Sequence, residues 1–188
     1  MAAIRTFLAF DTPETVKESI LSVQTELKRS GLSASWESRG KLHVTIKFLG
    51  NVESGILGDV IARCESICTS YPPFVVVYAG IGAFPSPRHP RVLWAGCENP
   101  DGTLDSLKRD LDAGLTSFGF PVESRTFRPH VTVCRIRDER KAGNLTPMLE
   151  SLTFEPRSSA VDGIIVMKSV LEPQGARYSA LQHIHLHH

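Results

Sequence analysis

Two histidines and two threonines share one spelling in this chain, His43-Val44-Thr45 and His130-Val131-Thr132. Imidazole has an ordinary pKa of about 6.5, so a pair of them can remove one proton and donate another near neutral pH. A threonine hydroxyl can donate a hydrogen bond to a non-bridging phosphate oxygen, where charge builds in a five-coordinate transition state. Two such His/Thr pairs at one site would serve phosphoryl chemistry, and the chemistry asks for no metal. A single His beside a Thr in a strand is ordinarily a satisfied polar position. Repetition alters that reading, because Val or Ile would fit either strand better.

The residues around each phrase alternate as a strand does, so positions two apart share a face. His43, Thr45 and Lys47 then share one face, and Val44, Ile46 and Phe48 the other. In the second copy His130 and Thr132 lie with Cys134 and Ile136, opposite Val131, Val133, Arg135 and Arg137. On strict alternation Phe48 faces the core and Arg135 points away from His130.

The flanking elements follow from periodicity and punctuation. Residues 4–10 read as a strand, and Asp11-Thr12-Pro13-Glu14 starts a helix with Val16, Ile20, Val23 and Leu27 inward and Gly31 as its stop. A strand at 33–37 carries Trp36 and precedes the first phrase. A helix over 56–70, an apolar run at 74–78 and a strand at 91–96 come next, the last two joined by a Pro-rich basic connection containing Arg88 and His89. Leu104, Leu107, Leu111 and Leu115 mark a helix over 101–119 that leads to the second phrase. Residues 138–152 are helical in composition, weakened by Gly143 and Pro147. Strands at 161–171 and 177–184 close the chain around a Pro173-Gln174-Gly175 turn. The first phrase begins at residue 43 and the second at 130, an offset of 87, close to half the chain. Two similar α+β halves, each contributing one phrase, make one compact domain over 1–188.

Composition bounds the partners. Lys plus Arg number 21 against 20 Asp plus Glu, a net charge of +1, so any anion site must be local and duplex-coating is excluded. Cys64, Cys68, Cys97 and Cys134 form no CxxC pair and suit reduced thiols in the cytosol. Cys64 and Cys68 share a helix face, a spacing more typical of buried apolar side chains than of a metal site. The first residues are too short an apolar run for a signal peptide, and no stretch approaches the ~18 apolar residues of a membrane span. Residues 183–188 hold four of the seven histidines and are set aside as a tag remnant or frayed tail.

The paired His-x-Thr phrases, Lys47-Phe48-Leu49-Gly50, the strand Arg91-Val92-Leu93-Trp94-Ala95-Gly96 and the approach Phe127-Arg128-Pro129-His130 resemble the 2H phosphoesterases, nearest the RNA 2′,3′-cyclic phosphodiesterases of the LigT or ThpR type. The likeness runs from Thr6 to Tyr178. It implies an α+β, bilobal, pseudo-two-fold fold with two antiparallel sheets facing a central cleft and helices outside. It implies His43 and His130 as catalytic, and Thr45, Thr132 and Arg135 as phosphate-binding, with His130 the base and His43 the acid. Trp36, Phe48 and Tyr178 are candidate nucleotide contacts, each weighed against a structural role. Arg88, His89, Arg91, Arg125 and Arg128 are candidates for the RNA backbone, against the plain reading of solvated charges. The activity implied is hydrolysis of an RNA 2′,3′-cyclic phosphate end to a 2′-phosphate by a cytoplasmic monomer, without cofactor, metal or membrane. The alternatives are a phosphodiesterase for 2′,5′-linked oligonucleotides or small cyclic nucleotides, and an RNA- or nucleotide-binding module without turnover.

Overall fold

A computed structural model describes residues 2–173 and 175–187. The first half runs β1 (Ala3–Asp11), α1 (Glu14–Arg29), β2 (Ala34–Trp36), β3 (His43–Glu53), α2 (Leu57–Cys68) and β4 (Phe74–Ser86). The second runs β5 (His89–Glu98), α3 (Thr103–Gly114), β6 (His130–Ile136), α4 (Glu139–Ala142), α5 (Thr146–Ser151), β7 (Arg157–Val161), β8 (Gly163–Glu172) and β9 (Gly175–His185).

The strands lie antiparallel in the order β7-β4-β5-β6-β3-β1-β8-β9, with β2 also on β6. The two expected sheets are thus the halves of one curled sheet, joined where β3 meets β6. Only Val44 and Val131 are paired across that seam, after which β2 takes over the same edge of β6. Helices cover the outer face. α1 buries Val16, Ile20, Val23 and Leu27, and α3 buries Leu104, Leu107 and Leu111. At ~1.5–3 kcal/mol per buried aliphatic side chain, packing rather than propensity holds these helices.

Three elements depart from expectation. The ribbon of β4 and β5 continues through the Pro-rich connection, pairing Pro85 with Pro90 before turning. β7 reaches only Phe74–Tyr78 of β4, so the outer stretch lies on an edge where proline costs no ladder bond. β7 itself, Arg-Ser-Ser-Ala-Val, is an edge strand with only Val161 buried and offers no apolar run to find. The stretch after β6 splits into α4 and α5 at Gly143, whose φ of 62° only glycine adopts readily.

The frayed-tail reading does not hold for 183–187. β9 pairs His183 with Ile165 and His185 with Gly163, and the His187 amide donates to the Tyr71 carbonyl. Gln174 and His188 lie outside the described residues, so the predicted turn is described only at Pro173 and Gly175. All four cysteines are free and buried, and burial pushes their thiols up to about 12, as inert core groups.

Gly82 sits opposite Trp94 on β5, and a Cβ there would lie 2.3 Å from the indole. That indole backs Phe84 at 5.2 Å, and Phe84 meets His130 edge-on at 5.0 Å. Gly82→Ala is therefore expected to cost about 1–3 kcal/mol, read as a lower urea midpoint, and an unchanged midpoint would show the indole is free to move.

Candidate active site

A cleft of about 870 Å³ opens on the inner face of the sheet. Its size is near the top of the ~300–1,000 Å³ usual for small-molecule sites. The seam lies within it. With Val44 level with Val131 in antiparallel strands, His43 falls beside Thr132 and Thr45 beside His130. All four side chains line the cleft.

Each imidazole is oriented by the backbone just before its strand. His130 Nδ1 lies 2.7 Å from the Arg128 carbonyl. His43 Nε2 is 3.1 Å from Thr45 Oγ1, which leaves Nδ1 for its hydrogen bond to the Lys41 backbone. In both rings Nδ1 is the donor to a carbonyl, so Nε2 is the nitrogen that can exchange a proton. Aromatic rings wall them in. Phe7 stacks on His43 at 5.1 Å, and Tyr178 meets His43 edge-on at 5.3 Å.

Burial lowers both histidines, and for His43 it outweighs the raising effects of the Lys41 hydrogen bond and Asp11, bringing the pKa to about 4. Their charged neighbours differ in sign. Asp11 favours a protonated His43, whereas the Arg135 guanidinium favours a neutral His130. With both lowered from about 6.5, the neutral form of each ring is favoured at pH 7.

A β-bulge places Arg135 in the cleft. Along β6, Thr132 faces Trp94 and Cys134 faces Leu93, so Val133 is skipped. The side chains beyond it change face. Cys134 becomes fully buried, and Arg135 joins His130 in the cleft, 3.7 Å from Glu37. β3 does the same, since Thr45 faces Ala9 and Lys47 faces Leu8, with Ile46 skipped. Lys47 turns inward to 1% exposure, and Phe48, expected in the core, stands 64% exposed in the cleft.

The other candidates divide. Tyr178 lines the cleft. Trp36 does not, a correction with a plain cause: β2 pairs it with Cys134, on the buried side of the β6 bulge, and Lys28 lies 5.1 Å over its ring. Arg125 and Arg128 line the cleft, whereas Arg88, His89 and Arg91 do not, and Arg91 pairs with Glu139. Arg5, Lys41, Phe7 and Phe84 also line it. Alternation along β1 puts Arg5 and Phe7 on one face, a signal the sequence carries once that face is known. Among the described residues no three His, Cys, Asp or Glu side chains gather as metal ligands, and no helix is long and apolar enough to cross a membrane.

The low folded-state pKa of His43 has a stability consequence. Between about 6.5 and about 4 the unfolded chain binds the proton that folded His43 refuses, so stability falls as pH falls through that window. Urea unfolding of His43→Gln is expected to show a shallower loss over this range than the parent, and identical slopes would contradict the burial argument.

The LigT-like phosphoesterase profile matches residues 10–94 and 96–178. A Methanothermobacter thermautotrophicus protein named RNA 2′,3′-cyclic phosphodiesterase is 33% identical over 180 residues, 95% of this chain and 97% of that one. A crystal structure from Thermus thermophilus superposes with a TM-score of 0.80 at 25% identity, covering 97% of this chain and 98% of the other. Escherichia coli LigT superposes at 0.75 and 23% identity over the whole of both chains. Matched along both halves, including both His-x-Thr strands, the chain belongs to the LigT-like phosphoesterase family.

Proposed function

We propose that this chain hydrolyses the 2′,3′-cyclic phosphate at an RNA end, leaving a 2′-phosphate and a 3′-hydroxyl. The observation that carries the reading is the interleaved quartet at the seam, an imidazole and a hydroxyl on each strand within one cleft. The name borne by the relative at 33% identity supports the substrate.

In the mechanism we propose, Thr45, Thr132 and Arg135 hold the non-bridging oxygens. A water attacks phosphorus in line, and His130 Nε2 takes its proton. The bond from phosphorus to the 3′-oxygen breaks, and that oxygen takes a proton from His43 Nε2. The charges suit these roles, with Arg135 keeping His130 neutral to act as base and Asp11 favouring the protonated His43. Since burial favours a neutral His43, the substrate's own negative charge supplies the rest of the shift. Phe48 and Tyr178 offer faces on which a base can stack. Arg5, Lys41, Arg125 and Arg128 line the cleft and, among the described residues, have no acidic partner, which suits the phosphates of an RNA strand. Four buried free thiols fit a reducing compartment, and we take the cytosol as the setting.

The test is incubation with RNA ending in a 2′,3′-cyclic phosphate, with EDTA present, followed by identification of the hydroxyl that keeps the phosphate. Full turnover to the 2′-phosphate is expected, and loss of activity in EDTA would overturn the metal-free mechanism. His43→Ala and His130→Ala should each lower kcat by roughly 10²- to 10⁴-fold. Near-parental rates in either would remove that histidine from the reaction, and tight nucleotide binding by the intact chain without turnover would point to a binding module. A 2′,5′-linked oligonucleotide run alongside separates the other enzymatic reading.

The cationic lining makes a second, quantitative demand. Arg125→Ala should raise KM for an RNA end and reduce the salt dependence of kcat/KM by a slope of about 0.7, the value for one single-strand phosphate contact. An unchanged slope would place Arg125 outside the RNA path.

A further inference from the structure

The two bulges that bring Phe48 and Arg135 into the cleft are each held by a buried polar side chain on a helix. At the β6 bulge, Gln24 of α1 is 2% exposed, and its Nε2 donates to the Val133 carbonyl at 2.9 Å and to the Glu37 carbonyl at 2.8 Å. Val133 is the skipped residue, and its carbonyl takes the Gln24 amide as a second donor beside the Glu37 backbone N–H at 3.2 Å. At the β3 bulge, the inward-turned Lys47 donates to Asp112 Oδ1 of α3 at 2.5 Å and to the Pro121 carbonyl at 2.9 Å. Asp112 Oδ2 meets Lys108 Nζ at 2.5 Å, and Lys108 reaches Glu123 at 3.0 Å.

Gln24 and Asp112 stand at corresponding places in the two halves. They are 88 residues apart, against 87 for the two histidines. Each lies on the helix preceding one phrase and braces the bulge of the other. α1 precedes β3 and holds β6, while α3 precedes β6 and holds β3. The second link reaches further. Pro121 and Glu123 belong to the irregular segment 121–129 before β6, which gives Arg125 and Arg128 to the cleft and the carbonyl that orients His130. Burying an ammonium and a carboxylate is expensive, and Cys134 shows that a small apolar group serves at the matching place in β6. Stability alone does not account for Lys47.

We propose that Gln24 and the Lys47–Asp112 pair are positioning residues, reciprocal braces that fix the two bulges and with them the placing of Phe48, Arg135 and both histidines. The proposal rests on the function above for its kinetic consequence and on geometry alone for its spectroscopic one. Gln24, Lys47 and Asp112 do not line the cleft. Gln24 acts through Arg135 and His130 on β6, and Lys47 through Phe48 and through the segment that orients His130.

The test compares Gln24→Met and Lys47→Met, close in length and unable to make the bonds, with the parent. Kinetics use an RNA 2′,3′-cyclic phosphate end, and histidine titrations and amide exchange are followed by NMR. Loosening by about 1 Å at a reacting group can cost up to about 10²-fold, so both variants are expected to lose roughly 10- to 100-fold in kcat. Gln24→Met should also raise KM through Arg135. Lys47→Met should speed amide exchange across 121–129 and move the His130 titration toward an ordinary imidazole. Should Lys47→Met not fold, Glu123→Gln cuts the half-exposed end of the same chain of ions and should speed exchange across the same segment. Parental kcat with parental exchange at 121–129 in the folded variants would overturn the proposal. Because exchange and titration do not depend on turnover, a parent inactive on this substrate would overturn the function while leaving the bracing to be decided by NMR.

Discussion

A strand shows every second side chain to the same face, and one skipped residue reverses the assignment for everything beyond it. Both His-x-Thr strands use that reversal immediately after the threonine, and β3 skips once more further on, at Leu49. Before the skip, the strand gives the cleft an imidazole and a hydroxyl. After it, the cleft receives the residue three positions past the threonine, Phe48 on β3 and Arg135 on β6. Without the bulges the cleft would hold Lys47 and Cys134 in those places, and the fold would have to bury a phenyl and a guanidinium elsewhere. The aromatic side and the cationic side of the site depend on the same local break in pairing.

The seam governs what the two halves can share. Elsewhere neighbouring strands share three or more registered pairs, but β3 and β6 meet at one. That single alignment interleaves the two motifs, so each histidine is flanked by its own threonine along the strand and by the other threonine across it. The pseudo-two-fold relation of the halves makes this geometry symmetric, and their charged surroundings make it unequal, with Asp11 by one imidazole and Arg135 by the other. A symmetric pair of rings thereby sits in two electrostatically different settings.

The helices and the existence of both motif strands were legible because their signals are local. Val16, Ile20, Val23 and Leu27 repeat at helical spacing, and a tripeptide spelled twice at an offset of 87 needs no tertiary knowledge to notice. The bulges were not legible. Ile46 and Val133 are ordinary strand residues, and the choice to skip them belongs to β1 and β5, which are their partners in space. Strict alternation therefore sent Phe48 to the core and Arg135 away from the cleft, although family resemblance already set a basic residue near the phosphate. Trp36 failed for a related reason: its side is decided by Cys134 across the ladder, on the far side of the same irregularity. β7 escaped notice because an exposed edge strand needs no apolar pattern to be held by its neighbour.

Each imidazole has one nitrogen committed to a backbone carbonyl two residues upstream, His43 to Lys41 and His130 to Arg128. A ring tied in this way cannot collect a proton on one nitrogen and release it from the other, so neither histidine can act as a relay into the interior. If a reaction at the site carries a proton from water to one ring and from the other ring to an alcohol, it ends with the two charge states exchanged. The molecule then differs from its starting form by a proton on the wrong side of the seam. The nitrogens left free on the two rings face the cleft, so in such a cycle the protons would be reset through the water of the cleft and not through the interior.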